Sequence, residues 1–299
     1  MKKPTIKDKL VAKLERMGAI PSIKAILEPL LQELDQPIEQ QKMSRVVELI
    51  AHDNSLAAQC LHMANSPLFG RSQTVQTVRG AVVALGLRRM RDIAISCCVL
   101  NMLPWEKMNI DPLVFWEHSL SCALITRRFA QKIKFDDPEK AYLAGLLHDI
   151  GVVLHLWLIP DEFRPVLEAA KQRQAPLHEV EREMLGFDHA DSGRLLAERW
   201  NLTPELQEVV CRHHDLAMAK LNPSMVSLVN LSDLLCRMRG LGYGYLEARI
   251  VDFTEEPAVK ILRETCPLLE TFDWARFTFE LDEYVEEVRR LVTVFYRMR

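Results

Sequence analysis

The sequence predicts an all-α fold built from two packed helical subdomains, the second a helical bundle with imidazoles and carboxylates in its core. Three observations predict it. Apolar residues recur at spacings of three and four nearly from end to end, the period of an amphipathic helix. No segment sustains the alternation of a strand. Imidazoles and carboxylates stand within apolar helical segments, where Leu or Ala would be expected, above all in "AYLAGLLHDIGVVLHLW" from Ala141 to Trp157. At 299 residues, 48% hydrophobic and 26% charged, the chain is long and apolar enough for one large domain or two smaller ones.

The elements follow in order. "SIKAILEPLLQEL" sets Ile23, Ile26, Leu27, Leu30, Leu31 and Leu34 on one stripe behind a Ser22 N-cap. "SRVVELIAHD" is a second helix with Ser44 as its cap, and "NSLAAQCLHMAN" a third with Leu56, Cys60, Leu61 and Ala64 at helical spacing. "TVRGAVVALG" and "MRDIAISCCVLNML" read as two buried helices. Pro104 and the segment that follows break the pattern at residues 104–112, which divides an N-terminal subdomain, 1–103, from a second, 112–240. "PLVFWEHSLSCALITRRFAQKI" opens the second. The Ala141–Trp157 stretch reads as one continuous core helix. "TPELQEVVCRHHD" starts on a Thr203 cap with Pro204 at the first helical position. "SMVSLVNLSDLLCRMRGLG" is a further strong helix. "GLGYGYLEARIVDFTEEP" is a loop-like joint before an extension, 241–299, whose last helix buries Leu281, Val285, Val288, Leu291, Val292 and Phe295 on one face.

Charge and cysteine usage narrow the function classes. A net charge of −3 lacks the basic balance of a nucleic-acid binder, and Arg88-Arg89-Met90-Arg91 reads as a solvated helix face. No nucleic acid is expected as a partner. The seven cysteines contain no C-x-x-C pair and read as small buried hydrophobes in a reducing compartment. No run reads as a membrane-spanning helix and the N-terminus lacks the apolar core of a secretory signal, so the expectation is a cytoplasmic protein without a membrane.

Nine histidines fall into two groups. His52, His62, His155 and His178 stand alone and read as structural. His118, His148, His189, His213 and His214 have company, with Asp149 and Asp233 supplying carboxylates inside apolar helices. Burying an ionised carboxylate without a partner costs several kcal/mol even after relaxation, on the order of the fold's whole margin. A divalent cation resolves the cost by binding neutral imidazole and carboxylate together, and bundle cores build such sites from distant segments. The competing reading is a buried hydrogen-bonded network without metal.

The order of a histidine, a His-Asp pair and a late aspartate, here His118, His148-Asp149 and Asp233, resembles the HD superfamily of metal-dependent phosphohydrolases. His189 and His213-His214 resemble the extra ligands of its HD-GYP branch. The first third of the chain is similar to the start of an HDOD domain, an HD-related output domain: Asp53-Asn54-Ser55-Leu56, Asn65-Ser66 and Leu85-Gly86 match its turn, helix end and helix stop. The likeness runs from about residue 19 to 240. Some positions depart from these patterns. Val152 stands where the HD-GYP branch has lysine, "HHDLAMAKLNP" replaces its Gly-Tyr-Pro segment, Val114 replaces a third-metal glutamate, and Asn54 replaces the usual HDOD proline.

The resemblance implies one cation on His118, His148, Asp149 and Asp233, and a second sharing Asp149 with His189, His213 and His214. One or two divalent transition-metal ions are expected, iron or manganese ahead of nickel or zinc. It implies a bacterial signal-transduction output protein that acts through protein partners. The alternative is a phosphohydrolase acting on a nucleotide or related phosphate ester, with Arg212 or Arg128 standing in for the missing lysine. Asn65 and Ser66 suit caps and turns, a structural role.

Overall fold

Helices carry the described chain, and no strand occurs among the described residues. The computed structural model describes residues 5–16, 26–33, 42–69, 74–101, 112–249 and 251–297. Ser22, Ile23, Leu34, the break at 104–111 and the side chain of Phe295 lie outside them. Two compact units result: residues 1–17 with 104–285, and residues 18–103 with 286–299. The first helix, α1 (Ile6–Arg16), therefore groups with the later part of the chain instead of the N-terminal subdomain into which 1–103 placed it. Its ties explain this. Lys13 Nζ donates to the Leu158 carbonyl at 2.5 Å, Arg199 Nη1 donates to the Leu14 carbonyl at 2.6 Å, and Lys9 pairs with Glu162 at 3.1 Å.

The smaller unit holds α2 (Glu28–Gln32), α3 (Met43–Ala51), α4 (Asn54–Ala64), α5 (Val78–Leu85) and α6 (Leu87–Asn101). Its motifs act on the backbone. Asp53 caps α4 by accepting from the Leu56 N–H at 3.0 Å. Asn65 closes α4 and clips Val75 in both directions, donating to its carbonyl at 2.9 Å and accepting from its N–H at 2.8 Å. Gly86 ends α5 at φ 90°, where a side chain would be strained. Two local expectations change. Lys42, not Ser44, precedes the first turn of α3, and it makes no side-chain cap bond. Arg91 is fully buried and pairs with Asp92 at 3.1 Å, so the basic cluster is not a solvated face throughout.

The larger unit contains α7 (Pro112–Lys132), α8 (Pro138–Leu147), α9 (Ile150–Leu158), α10 (Pro160–Arg173), α11 (Leu177–Leu185), α12 (His189–Arg199), α13 (Pro204–Arg212), α14 (Pro223–Met238), α15 (Pro257–Thr265) and α16 (Trp274–Arg297), the last divided between the units at residue 285. Asp137, Thr203 and Asn222 cap α8, α13 and α14 with side-chain oxygens, each followed by proline at the first turn. Asp188 and Asp191 form a reciprocal capping box on α12. Of the apolar face expected on the last helix, Leu281, Val285, Val288, Leu291 and Val292 are all buried.

Pro138–Leu158 is, by length and composition, apolar enough to cross a membrane, contrary to the expectation that no run is. Inside the fold, 94% of its most apolar window is buried among other helices. Nor is this run one continuous helix. His148 and Asp149 form a turn between α8 and α9, with Asp149 at φ −100°, ψ 21°. Two glycines set the packing around that turn. A Cβ on Gly145 would meet Thr126 Oγ1 at 2.6 Å and the Cys122 carbonyl at 2.9 Å, so its absence lets α8 lie close on α7. A Cβ on Gly151 would meet the His189 carbonyl at 1.8 Å, so α9 touches the start of α12 backbone to backbone.

Candidate metal centre

The larger unit brings the seven polar residues singled out in the sequence together. His118 comes from the middle of α7, His148 and Asp149 from the α8–α9 turn, and His189 from the first residue of α12. His213 and His214 follow the end of α13, and Asp233 stands in α14. All are buried except half-buried His214. The turn at His148-Asp149, not a continuous helix, aims both side chains inward.

Asp149 is the centre of the arrangement. Its Oδ2 lies 3.1 Å from His118 Nε2 and 3.4 Å from His148 Nε2. Its Oδ1 lies 3.0 Å from His189 Nε2 and 3.2 Å from His213 Nε2. His214 Nε2 is 2.9 Å from His189 Nε2. Two donor groups share the one carboxylate: His118, His148 and Asp149, and Asp149, His189, His213 and His214. Asp233 borders the first group, with Oδ1 3.5 Å from His118 Nε2 and 4.0 Å from His148 Nε2. It is also held by Arg237, whose Nε lies 3.1 Å from both of its oxygens.

The outer nitrogens fix which face of each ring is free. His118 Nδ1–H donates to the Leu241 carbonyl at 2.7 Å, and His148 Nδ1–H to the Gly145 carbonyl at 2.8 Å. His213 Nδ1–H donates to the Val210 carbonyl at 3.1 Å, and His189 Nδ1–H to Glu181 Oε2 at 2.6 Å. A carbonyl or carboxylate partner requires the proton on Nδ1, so in each neutral ring Nε2 presents a lone pair to the centre. Lone pairs that face one another at about 3 Å call for a cation between them. Asp149 Oδ1 agrees: it is buried and accepts no hydrogen bond, although two imidazoles stand against it. The donor set fits a metal ion, and the protein's own residues leave that oxygen unsatisfied.

Electrostatics follow the same geometry. Burial opposes charge on Asp149, yet the imidazoles of His148 and His189 hold its carboxyl well below the usual range. Burial also pushes the imidazoles down. Against it, the Asp149 charge lifts His148 to about 10, and Glu181 with Asp149 lifts His189 well above its ordinary value. His213 is lowered, and His214 well lowered, by burial and neighbouring imidazoles. Protons and metal ions therefore compete for the same Nε2 atoms, and binding a metal releases protons.

Several residues here were passed over by the sequence patterns. Glu181 is buried between His189 and His155, accepting the His189 N–H at 3.0 Å, its Nδ1–H at 2.6 Å and the His155 Nδ1–H at 2.9 Å. His155, read as a lone structural histidine, thus reaches the centre through Glu181, which also holds His189. His178 stacks on His214 with ring centroids 3.9 Å apart. Arg237 and Tyr243 reach the centre from the end of α14 and the joint after it; the Tyr243 hydroxyl donates to Asp149 Oδ2. The spacing Asp233-x-x-x-Arg237 on one helix face was the available signal for the arginine. Neither Arg128 nor Arg212 is among the residues that line the cleft over the centre: Arg128 pairs with Glu280 at 2.7 Å, and Arg212 stands 3.9 Å from Asp215. A cleft lined by His178, His214, Arg237, Tyr243, Tyr245 and Glu247, among others, opens onto Asp149 and Asp233.

The HDOD domain model matches residues 20–216, two thirds of the chain. The chain belongs to the HDOD family. A crystal structure of an HDOD domain protein of unknown function from Geobacter sulfurreducens superposes with a TM-score of 0.81 at 26% identity, covering 96% of this chain and 97% of that one. A Shewanella amazonensis protein bearing the provisional name phosphohydrolase superposes at 0.71 with 24% identity over 95% and 97% of the two chains, a likeness of fold. An uncharacterised protein of Treponema pallidum is 27% identical over 210 residues, which is 69% of this HDOD chain and 39% of that protein. The HDOD chain thus matches about two fifths of that relative's length.

Proposed function

We propose that this HDOD protein is a metal-binding output module in bacterial signal transduction that acts through protein partners. The observation that carries this reading is the state of the cation nearest the centre. Arg237 is committed twice, to Asp233 at 3.1 Å and to Glu247. A phosphoryl group entering the cleft would have to compete with two carboxylates for that guanidinium, and Glu247 would repel it. Val152, where a lysine would serve a phosphate, is buried and apolar. A metal held by these residues would lock the bundle, since its ligands come from α7, the α8–α9 turn, α12, the end of α13 and α14.

Two ions are proposed. His118, His148, Asp149 and Asp233 would hold the first; His189, His213 and His214 would hold the second, with Asp149 between them. Imidazole nitrogen and carboxylate oxygen donors favour iron or manganese over a thiolate-type zinc site, with nickel or zinc as substitutes. The candidate groups among the described residues lie in the larger unit, which leaves the smaller unit for partner binding. Seven free cysteines agree with the reducing interior of a cell.

A shared carboxylate between two donor sets favours a second reading, hydrolysis of a phosphate ester. Two ions held by these residues would supply Lewis-acid charge for a phosphoryl group and would lower the pKa of a bound water. Elemental analysis of the purified chain, followed by a phosphatase and phosphodiesterase screen with that metal supplied, separates the two. The regulatory reading expects bound metal without turnover; rapid turnover of one nucleotide would replace it with the enzymatic one.

A further inference from the structure

We propose that Tyr243 is an additional metal ligand, an oxygen donor that completes the coordination of the first ion on the side facing the cleft. The proposal rests on the metal reading above and concerns a residue outside the histidine–aspartate set.

Three observations carry it. The Tyr243 hydroxyl touches Asp149 Oδ2, the oxygen that also faces His118 Nε2 at 3.1 Å and His148 Nε2 at 3.4 Å. Those two nitrogens and Asp149 Oδ2, about 3 Å apart, match ligands each about 2.0–2.2 Å from a common ion, and the Tyr243 hydroxyl stands against that same oxygen. The first set is also short of oxygen. Arg237 Nε engages both oxygens of Asp233 at 3.1 Å, and Asp233 Oδ1 stays 4.0 Å from His148 Nε2. A second oxygen beside Asp149 would make up that deficit, and Tyr243 supplies it. Finally, the segment bearing Tyr243 is already tied to the ligand shell. Leu241, two residues earlier, accepts the Nδ1–H of His118, and the Tyr243 ring packs against the His118 ring at a tilt of 47° with centroids 4.9 Å apart. Gly240 and Gly244, at φ 69° and 80°, turn the chain on either side, conformations that other residues rarely adopt. The joint after α14 is therefore built to present this hydroxyl at the mouth of the centre, between the cleft and Asp149.

Ligation forms a dative bond from the phenolate oxygen to the ion; the phenolic proton leaves to solvent, with no change of oxidation state. Ferric iron reports such a bond optically. The full chain is loaded with ferrous iron, oxidised with ferricyanide, freed of excess reagent and assayed for bound iron and visible absorption. The expected result is a phenolate-to-iron charge-transfer band with tyrosinate modes in resonance Raman. The band is lost in Tyr243→Phe and kept in Tyr245→Phe, with folding of each variant confirmed by circular dichroism. The wild-type Raman spectrum stands even where Tyr243→Phe fails to fold. Bound iron without the band, or a band that survives Tyr243→Phe, overturns the assignment and leaves Tyr243 as a hydrogen-bond donor to Asp149. No retained iron in the wild type overturns the iron-centre reading itself, a distinct result, and the ligand assignment falls with it.

Discussion

Replacing Glu181 by Gln tests whether the second ion depends on a residue that does not touch it. Glu181 is wholly buried and receives three N–H groups: the His189 backbone, His189 Nδ1 and His155 Nδ1. Burial opposes its ionisation, but the charges of His189 and His155 hold its carboxyl at about 2. Glutamine keeps the shape and loses one acceptor. Its amide nitrogen must then face a donor, on either the His155 or the His189 side. An unsatisfied buried donor costs about 1–3 kcal/mol. In a unit of this size about 2 kcal/mol corresponds to roughly 4–8 °C in melting temperature. The weakened grip on His189 Nδ1 also lets that ring rotate, and loss of an outer-shell partner of a metal-bound histidine typically costs 10–100-fold in affinity. Calorimetric titration of the metal-free protein with Mn²⁺ should therefore show the second site weakened by about 10–100-fold and the first unchanged. Equal affinities at both sites, with an unshifted melt, would refute the claim that Glu181 positions His189.

Other outcomes follow from the same geometry. Asp149→Ala should abolish retention of both ions after dialysis, whereas His213→Ala should lose only the second; elemental analysis distinguishes them, and equal losses would contradict a shared carboxylate. Gly151→Ala places a methyl group 1.8 Å from the His189 carbonyl oxygen. Since that neighbour is backbone, the cost should reach the upper end of overpacking, about 3 kcal/mol, and an unchanged denaturation midpoint would show that α9 and α12 do not meet as described. Hydrogen bonds from Arg128 and Lys132 hold the Glu280 carboxyl at about 2, below its ordinary 4.5. The stability this gives is fully present above about pH 4.5 and is lost as pH falls towards 2. Urea midpoints from pH 2 to 6 should show Glu280→Gln less stable than wild type at pH 6 and the gap closing at pH 2; a constant gap would assign the effect to packing.

Much of the candidate centre was legible in the sequence because its residues break a rule locally. His148, Asp149 and Asp233 stand out since an apolar helix gives no other reason for an imidazole or a carboxylate, and the desolvation cost makes each an anomaly wherever the helix packs. Periodicity likewise determined that the chain is helical and that Leu281, Val285 and Val288 face inward. Glu181 and Tyr243 carried no such mark, and Arg237 only its spacing of four from Asp233. Each sits on an amphipathic helix or an irregular joint where a polar residue is ordinary, and its partner is 8 residues away in the case of His189 from Glu181 but 94 in the case of Asp149 from Tyr243. Only tertiary structure decided that α1 groups with the larger unit, because its bonds go to Leu158, Glu162 and Arg199, far along the chain. Only it decided that the apolar run 138–158 is two helices and not one. The hydrophobic pattern continues through His148 and Asp149 without a sign of the turn. Beside that turn α7 and α12 pack against the faces of Gly145 and Gly151, an interaction that no local spacing encodes.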